Sequence, residues 1–218
     1  MTDNDMKRHL FLLLTVQLLL TTLPLCTIKA QDFEWAKHIV TSDYSNVTSM
    51  ALDHDGNIIA VGSFKGIVDL DLGFGVHNVS SGPYGNTFIT KMDSNGTFVW
   101  GGVFASSGIN SPNTVAVNSS GGIYVYGSIY STTDFDPGIG TDSLHVSGSG
   151  GTFLVHLNSA GQYEWAKMIE GASIGGSGYA NSTMALDAND NVFLCGSSYD
   201  STDLDLGPGV HWIIPSIF

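Results

Sequence analysis

A unit of 65 residues recurs along this chain, and its recurrence limits the possible folds more than any other feature of the sequence. Trp35, Trp100 and Trp165 are separated by 65 residues each, and Gly62 and Gly127 keep that spacing. From the second copy to the third the spacing becomes 69, because four residues are inserted between the tryptophan and the next strand. Repetition at this length predicts tandem structural units that stack on one another and share a core.

Each copy of the repeat contains the signals of two β-hairpins. In the first copy "TSMALD" and "NIIAVGSF" flank "HDG", and "TFITKM" and "TFVWGGVF" flank "DSNG". Asp and Gly between short apolar runs indicate tight hairpin turns. The repeat therefore predicts four short antiparallel strands, and such units in tandem are typical of β-propeller blades. A β-solenoid, the alternative, would need shorter and more uniform coils.

We therefore expect an all-β fold, namely an incomplete β-propeller that follows an N-terminal signal helix. The repeats are placed at about 35–99, 100–164 and 165–218, the third being truncated, so that the region 31–218 holds about two and a half units. Propellers close with about 4 to 8 blades. We expect the chain either to be part of a longer product or to associate with itself. The tryptophans recur at strand positions, which favours packing between blades over a sugar-binding platform.

The strands and turns resemble the SBBP repeat, a family named for the seven-bladed β-propeller. The resemblance is carried by "NTVAVNSSGGIYVYGSIYSTTDF" and "STMALDANDNVFLCGSSYDSTDL" and covers about residues 33 to 210. It implies an exported or surface protein of bacterial type, with no defined catalytic site in the repeat. In the middle copy Asn118 replaces the acid found at Asp53 and Asp187, so a role that needs a charge there is not common to all copies.

The first thirty residues have the pattern of a secretory signal peptide. "MKRH" is basic, Leu10 to Leu25 form an apolar run, and Ala30 offers a small residue before a cleavage point. The alternative is an uncleaved anchor helix. We expect cleavage after Ala30 and a secreted or cell-surface location. Cys195 is then the only cysteine, so no internal disulfide forms.

The charge of the chain excludes some classes of partner. Of 7 basic and 20 acidic residues, cleavage removes Lys7, Arg8, Lys29, Asp3 and Asp5, which leaves 4 lysines, 18 acids and a net charge of −14. Such a polyanion repels nucleic acid and anionic lipid surfaces. The expected partners are an extracellular ligand or protein, further blades of a longer parent, or a second copy. We expect no membrane span once the signal peptide is removed.

One acidic septet occurs three times, as "DLDLGFG" at 69–75, "DFDPGIG" at 134–140 and "DLDLGPG" at 203–209. Its period of 2 predicts that Leu70, Leu72 and Phe74 face one way in an extended segment. The septets lie between the second and third strands, so they should share one rim. That rim would carry six carboxylates: Asp69, Asp71, Asp134, Asp136, Asp203 and Asp205.

Two roles are open for these carboxylates. Calcium binds six to eight oxygen ligands, and Asp-x-Asp in a glycine-bent loop is a common source of them. Alternatively, the aspartates accept hydrogen bonds from turn amides while the glycines adopt positive φ. No other cofactor is expected.

The leading functional expectation is a non-catalytic, exported propeller-repeat protein that serves as a surface scaffold or binding module. Its acids recur from copy to copy, whereas catalysis needs a set of groups that is present once. The alternative is a fragment of a propeller enzyme that acts on extracellular polysaccharide or peptide.

The signal-peptide assignment predicts a defined mature N-terminus. Mass spectrometry of the exported chain should find Gln31 as the first residue, because cleavage follows Ala30. An exported chain that still carries residues 1–30 would contradict the assignment.

Overall fold

The computed structural model describes residues 34–146, 150–170, 183–196 and 201–214, and every regular element within these ranges is a β-strand. The predicted signal peptide lies outside the described residues. Inside them, no helix has the length and apolar character to cross a membrane. The strands, in chain order, are β1 (Tyr44–Leu52), β2 (Ile58–Lys65), β3 (Ile67–Asp69), β4 (Asn78–Ser80), β5 (Asn86–Met92), β6 (Phe98–Ser106), β7 (Asn110–Val117), β8 (Ile123–Ile129), β9 (Thr133–Asp134), β10 (Ser143–Leu144), β11 (Gly151–Leu157), β12 (Tyr163–Glu170), β13 (Thr183–Leu186), β14 (Val192–Cys195), β15 (Thr202–Asp203) and β16 (Trp212–Ile213).

The two complete repeats form antiparallel sheets with the same order of strands. The first sheet has the order β1-β2-β5-β6, and the second has the order β7-β8-β11-β12. In the third repeat β13 pairs with β14. The predicted all-β class and the four strands of each complete unit are thus confirmed. The last strand of each complete sheet carries a tryptophan: β6 carries Trp100 and β12 carries Trp165. Each sheet therefore ends at a tryptophan strand, whereas the predicted repeats begin at a tryptophan.

The connection between the second and third strands of each unit contains a hairpin that the sequence analysis treated as a loop. These hairpins are β3–β4, β9–β10 and β15–β16. Strand β9 also pairs with β6 of the preceding sheet, through Ala105 opposite Asp134 and Ser106 opposite Thr133. The hairpin of one unit therefore extends the outer edge of the unit before it, which satisfies backbone groups that an edge strand would leave unpaired.

The core lies between the sheets, because both faces of each sheet carry apolar side chains. Ile59, Val61, Ile89 and Phe104 of the first sheet belong to one buried cluster with the facing side of the second sheet, namely Val115, Ile123, Val125, Ile129, Phe153, Val155 and Leu157. The opposite side of the second sheet packs on the third unit through Tyr124, Tyr126, Leu154 and Ile169, which cluster with Met184. The same junction is thus made twice.

Tryptophan packing ties one unit to the next, as predicted. A Cβ placed on Gly161 would overlap the Trp100 ring, so this ring lies directly on the turn between β11 and β12. Trp35 lies near Gly96 of the turn between β5 and β6, and its Nε1 donates to Ser94 O at 3.3 Å. Glycine at position 161 leaves room for the Trp100 ring of the preceding sheet.

A buried ion pair joins two strands of the first sheet. Lys91 Nζ lies 2.8 Å from Asp53 Oδ2, and the two side chains are 10% and 6% exposed. Burial alone would raise the pKa of Asp53, but hydrogen bonds from Lys91 and Asn57 outweigh it and lower the pKa to about 2. Lys91 Nζ also lies 3.3 Å from Ser159 O of the second sheet, so the same ammonium group links two units.

Replacing Asp53 by Asn should destabilise the fold by about 3 kcal/mol, because Lys91 would stay buried without its counter-charge. The folded pKa of about 2 lies below the unfolded value of about 3.9. The contribution of the pair is therefore complete above pH ~4 and is lost as the pH falls from ~4 to ~2. Chemical denaturation of the wild type and the variant across this range measures the difference.

Asp187→Asn is the matched control, because Asp187 is the equivalent of Asp53 in the third unit and accepts the same turn hydrogen bonds, while its pKa is lowered by Asn191 and Asn189 and by no lysine. It should change the free energy of unfolding much less. An equal loss in both variants would contradict a special role for the buried pair.

Candidate functional site

The three septets lie at the same end of their units, as the sequence predicted. Each begins in the first strand of a connecting hairpin: Asp69 ends β3, Asp134 ends β9 and Asp203 ends β15. The chain then leaves the strand, forms the tip of the hairpin and returns. Equivalent residues therefore have equivalent surroundings in all three units.

The first aspartate of each septet closes the hairpin loop. Asp69 Oδ1 accepts hydrogen bonds from the N–H groups of Asp71 (3.0 Å) and His77 (2.8 Å). Asp134 accepts from Asp136 and Asp142 at 3.1 and 2.9 Å. Asp203 accepts from Asp205 and His211 at 3.0 and 2.7 Å, and the bond from the His211 amide is the main cause that lowers its pKa. One carboxylate oxygen thus satisfies two backbone donors that the loop would leave unpaired.

The second aspartate explains the two glycines. Asp71 Oδ1 accepts from Gly73 N at 2.7 Å, and a Cβ on Gly75 would overlap Asp71 Oδ2. The other two septets repeat both relations. The prediction that the glycines adopt positive φ is wrong, because none of the six lies in that region. They are glycines because the folded-back carboxylate occupies the space that a side chain would need.

The predicted alternation of faces holds only for the start of the septet. Leu70 and Phe135 are fully buried, whereas Phe74 and Ile139 are fully exposed at the hairpin tips. The strand ends at the first aspartate, and the hydrogen bonds of the second aspartate bend the chain. A period of 2 requires an extended backbone, so Phe74 does not share the face of Leu70.

Each septet places two carboxylates near one another, fewer than a complete calcium site needs. Within the described residues no three His, Cys, Asp or Glu side chains converge as a group that could hold a metal. In the middle septet the pKa of Tyr163 rises to about 12, because of burial and of the neighbouring carboxylates of Asp142 and Asp136. Calcium binding by the six aspartates stays a prediction beside their observed turn role.

A second recurring turn lies at the opposite end of the sheets and accounts for Asn118. Its side-chain oxygen accepts from the N–H groups of Ser120 and Gly122 at 3.1 and 2.7 Å, and Gly121 between them has φ +85°. The same pattern of acceptor, two amides and a positive φ at the fourth residue recurs at Asp53, Asp93, Asn158 and Asp187. Asn and Asp both supply the acceptor, so the turn itself needs no charge, and the charge of Asp53 serves its ion pair with Lys91.

His156 is a titratable residue with a largely covered side chain, 13% exposed, that the sequence analysis did not single out. It stands 65 residues after Lys91, so it is the equivalent residue in the second sheet. Its ring stacks on Tyr124 with centroids 4.3 Å apart, and its Nδ1 lies 2.9 Å from Glu164 Oε2. Burial lowers the pKa of His156, while Glu164 opposes that shift. The packed rings give it a structural place within the junction.

A groove of about 560 Å³ lies between the starts of β1 and β7. It lies at the same end of the sheets as the septets. Three tyrosines with exposed rings line it, together with amides, hydroxyls and one lysine: Tyr44, Tyr84, Tyr130, Asn46, Asn113, Ser63, Ser111, Ser128 and Lys65. The spacing of residues along the sequence did not predict this groove, because residues of two successive units form it.

The groove combines aromatic rings with uncharged polar groups and has no acid in its described lining. Its one cation, Lys65, lies 3.5 Å from Asp43 Oδ2, and both side chains are about half exposed. A Cβ on Gly150 would overlap the Tyr130 ring, so that ring rests directly on the backbone. Such a surface can stack on the faces of a ligand and form hydrogen bonds with its hydroxyl groups.

Comparisons with known proteins add no family to this description. No protein-family model matches the sequence, and a search of curated proteins finds no significant match. The resemblance to the SBBP repeat therefore depends on the strands and turns quoted above.

Substitutions at Asp134 separate the turn role from the metal role. Asp134→Ala should lower the free energy of unfolding by about 1–2 kcal/mol, because two amides lose their acceptor. Asp134→Asn keeps an acceptor oxygen and should retain most of that stability. Thermal unfolding, first with millimolar calcium and then with a chelator, measures both effects.

The turn role predicts that the Asn variant and the wild type respond alike to calcium. A midpoint that rises with calcium in the wild type but not in Asp134→Asn would instead establish the septet as an ion site, since ligands that bind the folded state raise its stability.

Proposed function

We propose that this chain is an exported, non-catalytic binding module built from β-propeller repeats. The first strands of consecutive units, β1 with β7 and β7 with β13, lie side by side. First strands of propeller blades are neighbours in this way around a common axis. The septet hairpins and the groove would then lie on one face of the propeller.

The observation that carries the binding role is the groove between β1 and β7. It offers Tyr44, Tyr84 and Tyr130 as rings on which a ligand can stack, and it surrounds them with amide and hydroxyl groups. Aromatic rings with adjacent polar groups are the usual lining of ligand sites. A neutral, hydroxyl-rich ligand fits this chemistry best, and a segment of extracellular polysaccharide is the ligand class that we propose.

The groove favours binding over hydrolysis of such a ligand. Glycoside hydrolysis generally needs two carboxyl groups about 5 to 10 Å apart across the scissile bond. The described lining contains no Asp or Glu, and the acids of the septets recur in each unit and accept backbone hydrogen bonds. The chain would therefore retain a polymer at the surface rather than cut it.

Affinity electrophoresis through gels that contain dextran, xylan, mannan or laminarin tests this function. At least one neutral polysaccharide should retard the wild-type chain. Tyr44→Ala and Tyr130→Ala should each weaken the retarding interaction about tenfold, which corresponds to about 1.4 kcal/mol, because each removes a stacking surface.

Phe74→Ala is the matched control, since it removes an exposed ring outside the groove lining. It should leave the retardation unchanged. Migration that no polysaccharide alters, or retardation that persists in both tyrosine variants, would contradict a binding role for the groove.

A further inference from the structure

Two apolar positions of the first strand are buried or partly buried in every described unit except the first. Met50, Val115 and Met184 occupy equivalent positions, because Val115 lies 65 residues after Met50 and Met184 lies 69 residues after Val115. Val115 is 4% exposed and Met184 is 6% exposed. Met50 itself is 67% exposed. Leu52 is 66% exposed, whereas its equivalents Val117 and Leu186 pack against buried clusters. Within the described residues, the face of the first sheet that carries Met50 and Leu52 therefore has the residues of a junction but no four-stranded sheet against it.

The third unit shows the complementary pattern on its second strand. Ile59 and Tyr124 are 0% and 9% exposed, but their equivalent Phe193 is 58% exposed. Cys195 is exposed as well, and its equivalents Val61 and Tyr126 are fully buried. The positions that deliver apolar side chains into the two internal junctions are thus uncovered in the third unit.

These two uncovered surfaces are the two halves of one junction. Inside the chain, the side of a sheet that carries the Ile59 position packs on the side of the next unit that carries the Met50 position, and it does so twice. The Phe193 surface (Phe193 and Cys195) is of the first kind, and the Met50 surface (Met50 and Leu52) is of the second kind. The geometry points to head-to-tail association, in which the Phe193 surface of one copy packs on the Met50 surface of a second copy.

The partner is a second copy and not the opposite end of the same chain. The two surfaces belong to the first and the third unit, and a ring of propeller blades needs about four or more units to close. Association of unlike surfaces is heterologous, so it can add further copies until a ring closes. The acidic charge of both copies opposes this contact, and salt should strengthen it by screening the repulsion.

Sedimentation velocity of the full chain over a range of concentrations tests the inference. The wild type should form dimers and larger species as concentration rises, and more readily in ~0.5 M salt than at low salt. Met50→Asp and Phe193→Asp should each remain monomeric, because each places a charge in one half of the junction. Both side chains are more than half exposed in the single copy, so both variants should fold, which circular dichroism verifies.

A mixture of the two variants gives the decisive measurement. The Met50→Asp copy keeps an intact Phe193 surface, and the Phe193→Asp copy keeps an intact Met50 surface. Mixing them should therefore restore one good junction and yield dimers but no larger species. Phe74→Asp, a charge at an exposed apolar residue outside both surfaces, should associate as the wild type does.

Three results would overturn the inference. The first is a wild-type chain that stays monomeric at every concentration, which would leave the two surfaces for further repeats of a longer product. The second is association that persists in both variants. The third is a mixture of variants that forms no dimer. None of these results depends on the polysaccharide groove, so the two proposals fail separately.

Discussion

The need of each β-sheet to bury two apolar faces governs this structure. A single four-stranded sheet cannot do so alone, and each described unit has another sheet or hairpin against at least one face. The cluster that joins Ile59 and Phe104 to Val115 and Phe153 is the result for the first two units. Two further contacts join these units: Trp100 lies on the turn at Gly161, and β9 pairs with the outer strand β6. Both contacts form because the buried junction holds the two sheets in a fixed position.

Polar groups at the ends of the sheets are satisfied mainly by short side chains. Asp and Asn oxygens accept pairs of backbone amides at both ends, in the septets and in the tight turns. This arrangement explains how a chain with so few lysines gives most of its turn carboxylates hydrogen-bond partners.

The sequence predicted the strands of the complete units well and the connections poorly. Alternating apolar residues and Asp-Gly turns identify β1, β2, β5 and β6, because local periodicity and turn chemistry are sufficient for hairpins. Strand β9 was missed because it is only two residues long, and its pairing with β6 of another unit adds partners that no local pattern shows. The septet was read as extended to Phe74 for a related reason, since the bend depends on where Asp71 folds back.

By itself the sequence determined the repeat, the all-β class, the positions of the tight turns and the acidic charge, because these follow from spacing and composition. Only the tertiary structure decided which residues meet between units: the Asp53–Lys91 pair, the groove at Tyr44 and Tyr130, and the contrast between Met50 and Val115. Met50, Val115 and Met184 are equivalent residues of similar apolar chemistry. What distinguishes them is the neighbour against which each is packed, and that is a property of the stacked sheets alone.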